Sequence, residues 1–140
     1  MFKEANAGAG SDKVHRHGYH EAYGPFLLPY LSTPDMRILE IGVQNGNSLK
    51  LWQNLFPGHQ LIAGVVYGTS GSVKVDGFKS QLSDRTVLYY GDQSDAIFLK
   101  QLEQDLKGQK FDVIVDDGSH VPWHQLFTLE RIFGTLLKEG

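Results

Sequence analysis

The sequence predicts an α/β fold, a doubly wound parallel sheet of about four strands with flanking helices. Three observations carry that prediction. Short apolar runs alternate along the chain with segments of helical periodicity, the order that crossover-connected parallel strands require. Residues 61–67 are apolar without alternation, as in strands covered on both faces. Residues 37–48 read Arg-Ile-Leu-Glu-Ile-Gly-Val-Gln-Asn-Gly-Asn-Ser, a short buried strand, then a glycine turn that opens a helix. Such a turn lets a nucleotide-like ligand come close to the backbone and to helix N-terminal amides.

The elements follow in order. Residues 1–12 are small and polar and read as a loose arm. A His- and Tyr-rich segment, 13–30, is expected to be helical over 18–28, and Ser32-Thr33-Pro34-Asp35 forms a turn. The first strand spans 37–42. A helix over 48–56 places Leu49, Trp52, Leu55 and Phe56 on one face, and Pro57-Gly58 stops it. The second strand is 61–67, followed by a Gly/Ser-rich loop over 68–77 and a short helix over 78–82. The third strand, 86–90, puts one of Tyr89 and Tyr90 inward by alternation. A helix over 95–106 turns Ile97, Phe98, Leu102 and Leu106 to the core, and the fourth strand is 111–115. The last helix, 121–137, presents Leu126, Leu129, Ile132, Phe133 and Leu136. Residues 1–34 are thus an N-terminal arm and helix, and 35–140 the body of a single domain. The sequence closes on a helix end, so the sheet is expected to lack its C-terminal strands.

Composition narrows the function. One core can be buried by 140 residues, of which 41% are hydrophobic and 21% charged. A net charge of −3 gives no electrostatic reason to expect nucleic acid or an anionic membrane as partner. No apolar run approaches the roughly 18 residues of a membrane span. The absence of cysteine excludes disulfides and thiolate-bound metal and suits a reducing, cytoplasmic setting.

The glycine turn has the pattern Glu-x-Gly-x-x-x-Gly-x-Ser, which favours S-adenosylmethionine over a dinucleotide. An NAD-dependent oxidoreductase would carry a tighter glycine fingerprint and an acid after the second strand, and both are absent. Three segments together resemble class I S-adenosylmethionine-dependent methyltransferases. They are Gly10-Ser-Asp-Lys13 with His17-Gly-Tyr19, the turn from Glu40 to Ser48, and Gly91-Asp-Gln-Ser-Asp95 with Phe111-Asp-Val-Ile-Val-Asp-Asp-Gly-Ser-His120. The nearest family is that of the magnesium-dependent macrolide-sugar O-methyltransferases of the mycinamicin and tylosin type.

The resemblance implies a Rossmann-like methyltransferase fold, with 35–140 as the N-terminal part of its domain. It implies Glu40, Gly42, Gly46 and Ser48 as the cofactor turn, and Asp92 and Gln93 at the adenine end. It makes Asp117 both a cofactor-site residue and a magnesium ligand, and His120 the general base. The acceptor is then a small hydroxylated molecule. Oxygen ligands suit magnesium, and an imidazole with a pKa of about 6.5 can withdraw a hydroxyl proton near neutrality.

Two departures stand beside the match. Val66 occupies the position of the ribose-binding acid, whose lost charge-assisted bond is worth roughly 1.5–3 kcal/mol. Asp76 in the following loop is a candidate substitute. The Glu-Asp pair that completes the family's magnesium site would lie past Gly140. A non-catalytic member of the fold, binding nucleoside ligand weakly or not at all, is the alternative reading. Asp116 and Asp117 also read as turn and cap residues, and His120 as a helix-start residue bonded to backbone. His124, one helical turn on, reads as an exposed or packing residue, and Trp52 as core.

Overall fold

The computed structural model describes residues 24–44, 46–67 and 77–139. Five strands form one sheet: β1 (Arg37–Ile41), β2 (Leu61–Val66), β3 (Lys79–Ser83), β4 (Thr86–Tyr90) and β5 (Val113–Asp116). Their order is β3-β4-β2-β1-β5. β4, β2, β1 and β5 run parallel, and β3 pairs antiparallel with β4 at the edge. Helices α1 (Asn47–Leu55), α2 (Ala96–Asp105) and α3 (Pro122–Leu136) follow β1, β4 and β5. The motifs Gly10–Lys13 and His17–Tyr19 lie outside the described residues, as does most of the helix expected over 18–28. The chain is helical over 24–27 and tightens into a 3-10 turn at Leu28–Tyr30.

The two-residue period of the strands divides the core in two. Ile38, Ile62 and Val115 face α1, where they pack with Leu49, Leu51, Trp52, Leu55 and Phe56. Leu39, Ile41, Ala63, Val65, Val87 and Tyr89 face the other way, onto Phe98, Leu99 and Leu102 of α2 and Ile132 and Leu136 of α3. Alternating residues of one strand therefore serve two separate cores, which is why β2 reads as an unbroken apolar run and Ile38, Leu39 and Ile41 of β1 are all buried. Each fully buried aliphatic or aromatic side chain contributes about 1.5–3 kcal/mol against the entropy of ordering the chain.

Several expectations need correction. Where a helix was expected over 78–82, residues 79–83 form an antiparallel edge strand, because a two-residue turn at 84–85 folds them back on β4. Apart from Leu82 its side chains are polar, and all but Ser80 are exposed, so no apolar alternation marked it. A bulge lies between Gln81 and Ser83, where Gln81 Nε2 donates to the carbonyls of Ser83 (2.6 Å) and Thr86 (3.3 Å). The sheet therefore has five strands and is mixed.

The fourth expected strand starts later, at Val113. At Asp112 the side chain accepts from the Arg37 amide at 2.9 Å while its own amide donates to Arg37 O at 2.9 Å, and Phe111 forms a single parallel bridge with Leu137. Ile97 is 71% exposed rather than inward. On α3 the buried stripe is Thr128, Ile132 and Leu136, whereas Leu126, Leu129 and Phe133 stand largely exposed. Among the described residues no helix is long and apolar enough to cross a membrane.

Candidate active site

Strand order reverses at β1: the chain leaves it for β2 on one side and later returns to β5 on the other. Ligand crevices in open α/β sheets open at such a switch point, above the carboxyl ends of the strands. A cleft of about 640 Å³ lies there, lined by the turns after β1, β2, β4 and β5. Ile41, Gly42, Val43 and Gln44 line it from β1, Val65 and Tyr67 from β2, Gly91, Asp92 and Gln93 from β4, and Asp117, Gly118, Ser119 and His124 from beyond β5.

The parallel ladder extends past the strand ends and holds these turns. The amides of Gly42 and Val43 both donate to Val65 O, at 3.0 and 2.9 Å. Asp117 N donates to Ile41 O at 2.8 Å, and Gly91 N to Val66 O at 3.0 Å. Gly42 has φ +96°, a left-handed backbone that side chains disfavour. A Cβ there would also run into Gly118 Cα and the Asp117 carbonyl. The glycine turn and the β5–α3 turn thus touch backbone to backbone. Gly46, at φ +80°, caps α1, which starts at Asn47, one residue ahead of Ser48.

The expected site residues divide into two groups. Gly42, Asp92, Gln93 and Asp117 line the cleft; Glu40, Gly46, Ser48 and His120 do not. Glu40 is fully buried within β1 rather than at its end. Its side chain lies on the α1 face, where Oε2 accepts from Trp52 Nε1 at 2.7 Å. Trp52 is core, as its spacing indicated. Val66 packs against the α1 side of the core, and its neighbours Val65 and Tyr67 face the cleft instead.

Gln93 is bound on all its polar atoms. Its Nε2 donates to Thr128 Oγ1 at 3.0 Å and to Asp116 Oδ2 at 3.1 Å, while Oε1 accepts from Ser119 N at 2.6 Å. It clasps the β4–α2 turn to the β5–α3 turn. Asp92 Oδ1 closes its own turn by accepting from the amide and hydroxyl of Ser94, at 2.8 and 2.7 Å. Asp95 caps α2 through the Ile97 amide. Asp116 points away from the cleft. Burial pushes its carboxyl above the ordinary value, and bonds from the Gly118 amide and Gln93 pull partly back.

No family model matches the chain. Curated relatives do. The 8-demethyl-8-(2-methoxy-alpha-L-rhamnosyl)-tetracenomycin-C 3'-O-methyltransferase of Streptomyces olivaceus is 33% identical over 114 residues, 75% of this chain and 26% of that protein. Mycinamicin VI 2''-O-methyltransferase of Micromonospora griseorubida is 32% identical over 105 residues, 70% of this chain and 24% of that one. The solved structure of MycE methyltransferase in complex with Mg and SAH aligns with a TM-score of 0.64 and 26% identity. That alignment covers 97% of this chain and 32% of MycE. The chain has the fold of a class I methyltransferase and is similar over most of its length to these O-methyltransferases. It spans about a quarter to a third of the length of these methyltransferases.

Within this fold the sequence did not single out Tyr67, Ser119 or Thr128, and His124 was read as an exposed or packing residue. His124 lines the cleft, with Nδ1 2.7 Å from Ser119 Oγ, while His120 is exposed outside it. A signal was present, because His124, Thr128, Ile132 and Leu136 recur at intervals of four and form one helical stripe. That stripe, not the leucines beside it, faces the sheet.

Proposed function

We propose that this chain carries the cofactor half of an S-adenosylmethionine-dependent methyltransferase acting on a small hydroxylated acceptor in the cytoplasm. The observation that carries the reading is the cleft at the strand reversal. There the Gly42 turn meets the Asp117–Gly118 turn with Asp92 beside them. Its backbone-lined wall suits a ligand that needs close approach, and its apolar part, Ile41, Val43, Val65 and Tyr67, suits a flat heterocycle. Relatives named as O-methyltransferases, and MycE in complex with SAH, support the same reading.

In this reading Gly42, Asp92 and Asp117 border the cofactor directly. Gly46 and Ser48 shape the α1 start, Glu40 supports the turn from beneath through Trp52, and Gln93 holds the adenine-side turn in place. S-adenosylmethionine supplies an electrophilic methyl group when bound. The chain's own part is to fix that group and to receive the hydroxyl proton on His120. The exposed position of His120 leaves it accessible to an acceptor arriving from outside the cleft.

Magnesium fits less well. Among the described residues no group of three or more His, Cys, Asp or Glu could hold a metal ion, and Asp117 is the one oxygen ligand in the cleft that the resemblance implies. Magnesium takes six oxygens, usually with waters and one or two carboxylates. Calorimetric titration with S-adenosylhomocysteine tests the cofactor reading: saturable heat with a matching thermal shift is expected. Silence at millimolar ligand in both measurements would refute it.

A further inference from the structure

We infer that His124 is a positioning residue, setting the β5–α3 turn of the cleft through Ser119. The inference rests on the cofactor reading above, because the turn it places is one wall of that cleft.

Ser119 is held from three sides. Its amide donates to Gln93 Oε1 at 2.6 Å, its Oγ accepts from Val121 N at 3.2 Å, and the same Oγ lies 2.7 Å from His124 Nδ1. A hydroxyl that accepts from one amide still has a proton and a lone pair, so either imidazole tautomer completes the pair. His124 is anchored in turn. Its carbonyl accepts from Thr128 Oγ1 at 2.9 Å, and that buried hydroxyl also receives Gln93 Nε2 at 3.0 Å. Gln93, Ser119, His124 and Thr128 therefore close a ring of bonds around the start of α3.

The ring ends where the cleft is tightest. Gly118, next to Ser119, leaves no room for a Cβ on Gly42, so any shift of Ser119 moves the contact between the two turns. Its neighbour Asp117 moves with it. Position, not direct ligand contact, is the role the geometry assigns to this imidazole.

The two ring nitrogens can be separated by substitution. Asn places a hydrogen-bonding nitrogen near Nδ1, whereas Gln reaches toward Nε2. The full chain and its H124A, H124Q, H124N and S119A variants are titrated with S-adenosylhomocysteine, with urea midpoints measured alongside. One lost hydrogen bond corresponds to about fivefold in affinity. H124A, H124Q and S119A are expected to bind about fivefold or more weakly, and H124N to recover most of the loss at a urea midpoint equal to that of H124Q.

Recovery in H124Q but not in H124N would overturn the inference in favour of ligand contact through Nε2. Unchanged affinity in all four variants would reduce His124 to packing. Absence of binding by the unsubstituted chain would instead remove the cofactor reading and this inference with it. Nitrogen NMR of the unsubstituted chain gives a second readout that needs no variant. Nδ1 should carry the hydrogen-bonded signature, and a free, averaging imidazole would also overturn the inference.

Discussion

Replacing Gly42 with alanine probes the contact on which the cleft depends, and Gly46 supplies an internal control. Both glycines lie in the same turn with positive φ, +96° and +80°. A non-glycine residue in the left-handed region costs about 1–2 kcal/mol, and both substitutions incur that cost. They differ in surroundings. A Cβ at Gly46 meets nothing within 4 Å, whereas one at Gly42 meets backbone atoms of Asp117 and Gly118. Backbone cannot rotate away as a side chain can, so the overpacking cost of about 1–3 kcal/mol applies to Gly42 alone.

G42A should therefore lose about 2–5 kcal/mol against about 1–2 for G46A, a large share of the roughly 5–15 kcal/mol of a typical domain. Urea unfolding with matched slopes reads the difference directly. Each kcal/mol corresponds to a few degrees in melting temperature. Equal midpoints for the two variants would refute the claim that the turns press on each other.

Three further outcomes follow from the network around the sheet. In a double-mutant cycle, E40A with W52F should show a coupling of about 1.5–3 kcal/mol, the worth of a hydrogen bond to a charged acceptor; near-additivity would mean that the buried pair adds little. Q93L keeps the volume but removes the clasp. It should cost at least about 2 kcal/mol and speed hydrogen exchange at the Ser119 amide, which loses its 2.6 Å acceptor.

Y89F should change the pH profile in two windows. A bond from Lys79, and then one from Tyr89, hold the Asp105 carboxyl below its ordinary value, so its stabilisation is present above about pH 4 and lost as pH falls further. Burial, with Asp105 nearby, raises the Tyr89 hydroxyl, so stability declines as pH rises beyond about 10, where the unfolded phenol ionises. Urea midpoints across pH should flatten in both windows for the phenylalanine variant. Curves parallel to the unsubstituted protein would contradict the assignment.

The sequence revealed those elements whose residue types admit one solution. Residues 61–66 could only be a strand buried on both faces, and the glycine turn followed from a strand ending next to a helix start. Side-chain direction was harder. In a strand buried on both sides, period two tells nothing about which core a residue joins, so Glu40 was read toward the cleft although it faces Trp52. Gln93 looked like a ligand contact, because an amide in a strand-end turn carries no mark of its partners. Its partners, Ser119 and Thr128, come from a segment some thirty residues later. His120 and His124 were ranked by motif alone. His120 precedes α3 and stands exposed, whereas His124 lies in its first turn and lines the cleft, a difference in side-chain direction that the motif does not carry. The polar strand β3 was missed because an edge strand needs no apolar face.

That edge strand also bears on how the sheet comes together. Every parallel pairing joins strands separated by a helix or a long connection, whereas β3 and β4 are separated by two residues. Loop closure is least costly there. The hairpin is thus the pairing that can form first, while the apolar strands are still separate. Its polar outer residues, Lys79, Ser80, Gln81 and Ser83, would then cover one flank of β4 from the start. An apolar strand such as 86–90 would otherwise offer that flank to other chains during assembly. The feature least visible in the sequence is thereby the one best placed to keep the nascent sheet from joining its neighbours.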